Sequence, residues 1–191
     1  MEEPLLRLGD LGRGWSDLSM LNNTELLDPY GSGEAADRLR SERLNRTLTG
    51  LDEGRAWRRR DGGVLLVVRV ESFADPDDGD HRQVWQQYGA LCLEETWRER
   101  WRERDVTPGW IEARLRDPAD DEIEVPADID WFQVEDHTGV TDEVVLYQHL
   151  TVWSGRVHAV LTMRHALGLD VDDVVMAAAR RVGDRAAAYQ A

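Results

Sequence analysis

The sequence contains no lysine: all 23 basic residues are arginine, against 38 carboxylates, for a net charge of −15 in 191 residues. A field of that sign opposes both a phosphate backbone and an anionic lipid surface, so neither nucleic acid nor membrane is an expected partner. A local arginine patch can still hold an anion. Cysteine is almost as scarce. The single Cys92 cannot close an internal disulfide or supply a cysteine-based zinc site. Its neighbours Tyr88, Leu91 and Leu93 mark it as a buried structural thiol. No run approaches the ~18 apolar residues that span a bilayer. The acidic start MEEPLLRLGD lacks the basic region and apolar core of a signal peptide. The reading is of a cytoplasmic protein, or of an extracytoplasmic one where a leader has been trimmed away.

Motifs that would name a chemistry are missing as well. There is no glycine-rich phosphate loop, no G-x-S-x-G elbow and no H-E-x-x-H pair. Asp117 to Glu143 is rich in carboxylates and free of arginine, but DPADDEIEVPADID fails the spacing of a calcium loop and lacks its turn glycine. It reads as a solvated acidic loop, and no cofactor or metal is expected.

What is present is an ordinary globular composition, 41% hydrophobic and 32% charged, at a length that suits one domain with a real core. Residues 1–33, rich in glycine and turn formers, predict an irregular lead-in. Glu34 to Leu48 predicts a helix ended by Gly50. Asp61-Gly62-Gly63 predicts a hairpin turn between Arg55–Arg60 and Val64–Phe73. A long helix is predicted near 80–104, opened by Asp80 with Gln83 three residues on. Its apolar stripes are Val84, Tyr88, Leu91 and Cys92, then Leu93, Trp97 and Trp101. DIDWFQVED predicts a short strand with Ile129 and Trp131 on one side. A last helix near 170–189, capped by Asp170, turns Val171, Val174, Val175, Ala178, Val182 and Tyr189 to one face that must cover a sheet. The expected fold is α+β, an antiparallel sheet packed with a long middle helix and a C-terminal helix.

EVVLYQHLTVWSGRVHAVLTMRH reads as a hairpin turning at Ser154-Gly155. The core face carries Leu146, Gln148, Leu150, Val152, Val157, Ala159, Leu161 and Met163. The other carries Tyr147, His149, Thr151, Trp153, Arg156, His158, Thr162 and Arg164. That register makes His149 and His158 diagonal neighbours, a pair that still wants a third donor to hold a metal and a nucleophile to catalyse. Side chains with an apolar body and a polar tip suit a groove wall better than a freely solvated surface. The candidate ligand-binding residues are therefore Tyr147, His149, Trp153 and His158, with Trp131 as an additional wall.

In the order of its elements, and in LGDLGRGW, GGVLLVVRVESF and VWSGRVHAVLT leading to DVVMAAARRV, the chain resembles actinobacterial sensor-type and lipoprotein domains of the PsbP-like α/β class. The resemblance implies a module that binds a ligand or a protein without catalysing. The chain departs from that class in its single cysteine and in lacking a signal or lipid-attachment box. The function expected is a noncatalytic, sensor-like module for a small apolar or aromatic ligand or a protein partner. One alternative is a small enzyme using His149 or His158 as general base. Another is a scaffolding role through the Trp/Arg-rich helix end at Trp97, Arg98, Trp101 and Arg102.

Overall fold

The valine-rich run VLLVVRVESF suits a pleated surface packed on both sides. It forms a central strand. In the computed structural model, which describes residues 6–18, 33–44, 47–60, 63–76, 79–103, 109–116, 124–137 and 144–190, this strand is β3 (Val64–Phe73). The others are β1 (Trp15–Asp17), β2 (Leu48–Arg59), β4 (Trp110–Leu115), β5 (Ile129–His137), β6 (Val144–Ser154) and β7 (Val157–Ala166). They make one sheet in the order β1-β2-β3-β7-β6-β5-β4, with every neighbouring pair antiparallel. The fold is α+β, as the sequence predicts.

Among the described residues three α-helices accompany the sheet: α1 (Glu34–Leu44), α2 (Asp80–Glu103) and α3 (Asp172–Gln190). They divide between its two faces. Against one face, α3 packs Val171, Val175, Ala178, Val182 and Ala186 on Leu66, Val68, Leu150, Leu161 and Met163. Against the other, α1 and α2 bring Leu39, Trp85, Cys92, Leu93 and Trp97 to Phe132, Val134, Tyr147 and Trp153. A sheet covered on both faces needs central strands that are buried throughout, and β6 is buried at every position from Leu146 to Trp153.

Several boundaries differ from the sequence expectation. The first helix ends at Leu44, and Leu48 already pairs with Phe73, because a strand partner overrides weak helix propensity there. The lead-in is not wholly irregular. Trp15–Asp17 adds an edge strand to β2, and Leu6 and Trp15 are buried in the α3-side core. Strand β4 was not anticipated; its burial alternates as expected of a one-sided edge strand. The predicted turn residues Asp61 and Gly62 lie outside the described residues.

Helix α2 buries His81, Trp85, Gly89, Cys92, Leu93, Thr96, Trp97 and Trp101. This stripe includes His, Gly and Thr, so an apolar count misplaces it, and Leu91 faces outward at 47% exposure. Gly89 is required by close approach. A Cβ added there would lie 2.8 Å from the ring of Phe132, which is fully buried.

Candidate functional site

The β6–β7 hairpin turns at Gly155-Arg156, with Gly155 at φ +51°, and Ser154 pairs with Val157. The turn sits one residue later than predicted, which slides the pairing by two. A slip of two keeps each side chain on its face, so the apolar and polar faces are those expected from the sequence. It does separate the histidines. His158 pairs with Trp153, and His149 pairs with Thr162, four residues along the strand from Trp153.

The polar face lies beneath α2 and is buried. His149 is 3% exposed and His158 4%. The Trp153 indole stacks on His158 with centroids 4.4 Å apart, and His81 of α2 meets both rings edge-on at 5.2 and 5.5 Å. Trp85 covers His149 at 5.5 Å. Tyr147 stacks with Trp97 at 3.9 Å. Tyr147, His149, Trp153 and His158 are thus brought together as the floor of the α2 interface.

Trp131 is on the opposite face. Its indole N–H donates to Gln148 Oε1 at 2.8 Å, and the Gln148 amide donates to His165 Nε2 at 3.3 Å. His165 Nδ1 donates to the Ala166 carbonyl at 3.1 Å, which fixes its tautomer. The Arg116 guanidinium lies 3.9 Å over the Trp131 ring and 2.6 Å from Asp172 of α3.

An ionic clamp that sequence reading missed sets the seat of α2. Asp130 on β5 is buried and accepts four hydrogen bonds. Two come from the Arg82 fork at 3.0 and 2.9 Å, one from Gln86 at 2.7 Å and one from the Trp153 indole at 2.7 Å. Arg82 and Gln86 are one helical turn apart, the spacing that lets two side chains converge on one acceptor. Opposite His158, Glu71 is buried and paired with Arg69 at 2.9 Å. The His158 Nδ1 to Glu71 distance of 3.9 Å is too long for a hydrogen bond.

The electrostatics of this interface match packing. Burial first, then electrostatic interaction with the neighbouring His158 and Arg100, pushes the His149 pKa down to about 3, so the ring is neutral. Its Nδ1 meets Thr162 Oγ1 at 3.0 Å, while His149 Nε2, Thr151 Oγ1 and His158 Nε2 have no hydrogen-bond partner. Burial raises the Tyr147 phenol above its ordinary pKa, and Asp136 adds to the rise. A general base must come within ~3 Å of the proton it takes, and rings closed beneath a helix offer a substrate no such approach. Among the described residues no group of three His, Cys, Asp or Glu side chains is arranged to hold a metal ion. At the other end of α2, Trp97 and Trp101 are buried, Arg98 pairs with Glu94 and Arg102 with Glu99.

One residue of the hairpin's polar row does reach an open cavity. Arg156, in the turn, lines a cleft of about 700 Å³ with Thr49 of β2, Ser72 and Phe73 of β3, Pro76, Val157 of β7 and Tyr189 in the last turn of α3. Its rim is tied by backbone bonds. Phe73 N–H donates to the Arg156 carbonyl and Ala74 N–H to that of Thr47, both at 2.8 Å, and the Ser72 hydroxyl donates to the Thr49 carbonyl. No family model, curated protein or solved structure matches the chain. The cleft draws on four separate stretches of sequence, none with a local motif, so only the tertiary fold assembles it.

Proposed function

We propose that this protein is a noncatalytic, sensor-like binding module whose small-molecule site is the cleft at the Arg156 end of the sheet. The observation that carries this reading is the cleft itself. About 700 Å³ falls within the usual range for small-molecule sites, and the walls combine aromatic and apolar surface with a few polar groups. Phe73, Val157, Pro76 and Tyr189 supply the apolar part, and Thr49, Ser72 and Arg156 supply the polar part. The histidines that would have served an enzyme are buried beneath α2, away from solvent. The sensor-like role agrees with the resemblance noted in the sequence.

Filling the cleft tests the reading. Thr49 is exposed on its wall, so Thr49→Trp should fold normally and occlude the space. Small apolar acids and aromatic metabolites found to bind the wild-type protein by calorimetry should lose affinity for the variant. Undiminished binding to a folded Thr49→Trp protein would place the site elsewhere.

A further inference from the structure

We infer that β4 is a self-complementary edge through which two copies of this chain join into one continuous sheet, displacing Glu94 of α2, which caps that edge. The sheet ends at β1 on one side and β4 on the other, and among the described residues no strand pairs with the outer side of either. β1 is three residues long, too short to be a good template for another strand. β4 offers six, Trp110 to Leu115. Arg116 N–H donates inward to the Trp131 carbonyl, so by strand alternation Ile111, Ala113 and Leu115 turn their backbone groups outward. The Ala113 N–H follows this pattern and donates to Glu94 Oε1 at 3.1 Å.

Charge selects the occupant and the register. Two copies with net charge −15 repel in general, whereas WIEARL carries one acid and one base and is locally neutral. Paired antiparallel and centred on Ala113, it sets Glu112 opposite the second copy's Arg114, and Arg114 opposite the second copy's Glu112. Centring on Glu112 or on Arg114 would instead set like charges face to face. Within one copy Glu112 lies opposite Glu135 of β5, a like-charge pair that a guanidinium on its other flank would relieve. Both Glu112 and Arg114 are exposed. Leu115, 43% exposed, gains an apolar neighbour in the second copy's Ile111. Glu94 is also paired with Arg98 at 3.1 Å, so leaving Ala113 does not strand its charge. An edge of this size makes a small interface, which places the dimer in the weak, reversible class.

Sedimentation equilibrium of the full chain over a concentration series tests this, with amide hydrogen exchange to locate the contact. The wild type should dimerise weakly and reversibly, and protection of the Ile111 and Leu115 N–H groups should rise with concentration. Glu94→Ala uncaps Ala113 and should tighten the dimer at least roughly tenfold, in keeping with the loss of a competing charge-assisted hydrogen bond. Glu112→Arg and Arg114→Glu should each abolish it, while the double variant, which restores opposite signs in the same register, should bring it back. Glu112→Arg also lowers the general repulsion between copies, so loss of the dimer there reports the local pairing. Circular dichroism checks that each variant is folded. A wild-type chain still monomeric at millimolar concentration would overturn the inference. So would a dimer that both single reversals leave intact, or a folded double variant that stays monomeric.

Discussion

His149 and Thr151 show how single residues divide between packing and function. Both lie on the face that, in sequence, most resembled a binding surface, and both are buried under α2 with a polar atom lacking a hydrogen-bond partner. The Thr151 hydroxyl sits in a residue with no exposure, so its desolvation is uncompensated. Thr151→Val, which keeps the shape and removes the hydroxyl, should leave the melting temperature unchanged or raise it. A clear fall would mean the hydroxyl is satisfied in solution. His149 adds a pH dependence. An unfolded histidine takes up a proton below pH ~6.5, whereas folded His149 stays neutral down to about 3. The unfolded chain therefore binds more protons in that window, and stability falls as pH drops through it, by up to ~1.4 kcal/mol per pH unit. Burial lowers His165 as well and acts with the same sign. Asp136, raised by burial, acts oppositely, gaining stability as pH falls toward its unfolded value of 3.8. Urea unfolding at pH 7 and 5.5 should show the loss, and His149→Asn should show a smaller one. Equal pH slopes in the two proteins would contradict the buried, neutral assignment.

At the scale of elements, α2 decides what the polar face of the hairpin can be. Gly89 lets the helix close on Phe132, and Asp130 locks its first turns through Arg82 and Gln86. Gly→Ala inside a helix ordinarily gains ~1 kcal/mol. Gly89→Ala should instead destabilise, because its Cβ would meet Phe132 at 2.8 Å, and Phe132→Leu should partly restore stability. A stabilised Gly89→Ala protein would show that the helix sits farther out. Asp130→Asn leaves Arg82 facing a neutral partner. With Arg82 about a quarter exposed, the cost should lie toward the lower end of the ~3–5 kcal/mol seen when a buried pair is broken. Much of this scale was legible in sequence: the hairpin faces, the central strand β3, the long helix and the apolar face of α3 all follow from residue period. Leu150→Ala, with Leu150 fully buried, should accordingly cost about 2–5 kcal/mol in urea unfolding. What sequence could not supply is which helix lies on which face. A polar-aromatic row reads the same whether solvent or His81, Trp85 and Trp97 lies above it. Trp131 follows the same logic, since its side of the sheet depended on strand order, and the helix stripe was obscured because it runs through His81, Gly89 and Thr96.

For the whole molecule, the described helices lie against both faces of the sheet. The cleft beside Arg156 lies at one end of the sheet, where strand termini, a tight turn and the last turn of α3 meet. No described helix is long and apolar enough to cross a membrane. The central claim is that the ligand site is this cleft rather than the aromatic face beneath α2. The most direct test is a heteronuclear NMR titration of the full chain with a bound aromatic carboxylate. The account predicts that the largest shifts cluster at Thr49, Ser72, Phe73, Arg156, Val157 and Tyr189, while the signals of His149 and Thr151 hold still. Largest shifts at Tyr147, His149 and Trp153, with the cleft unmoved, would contradict it.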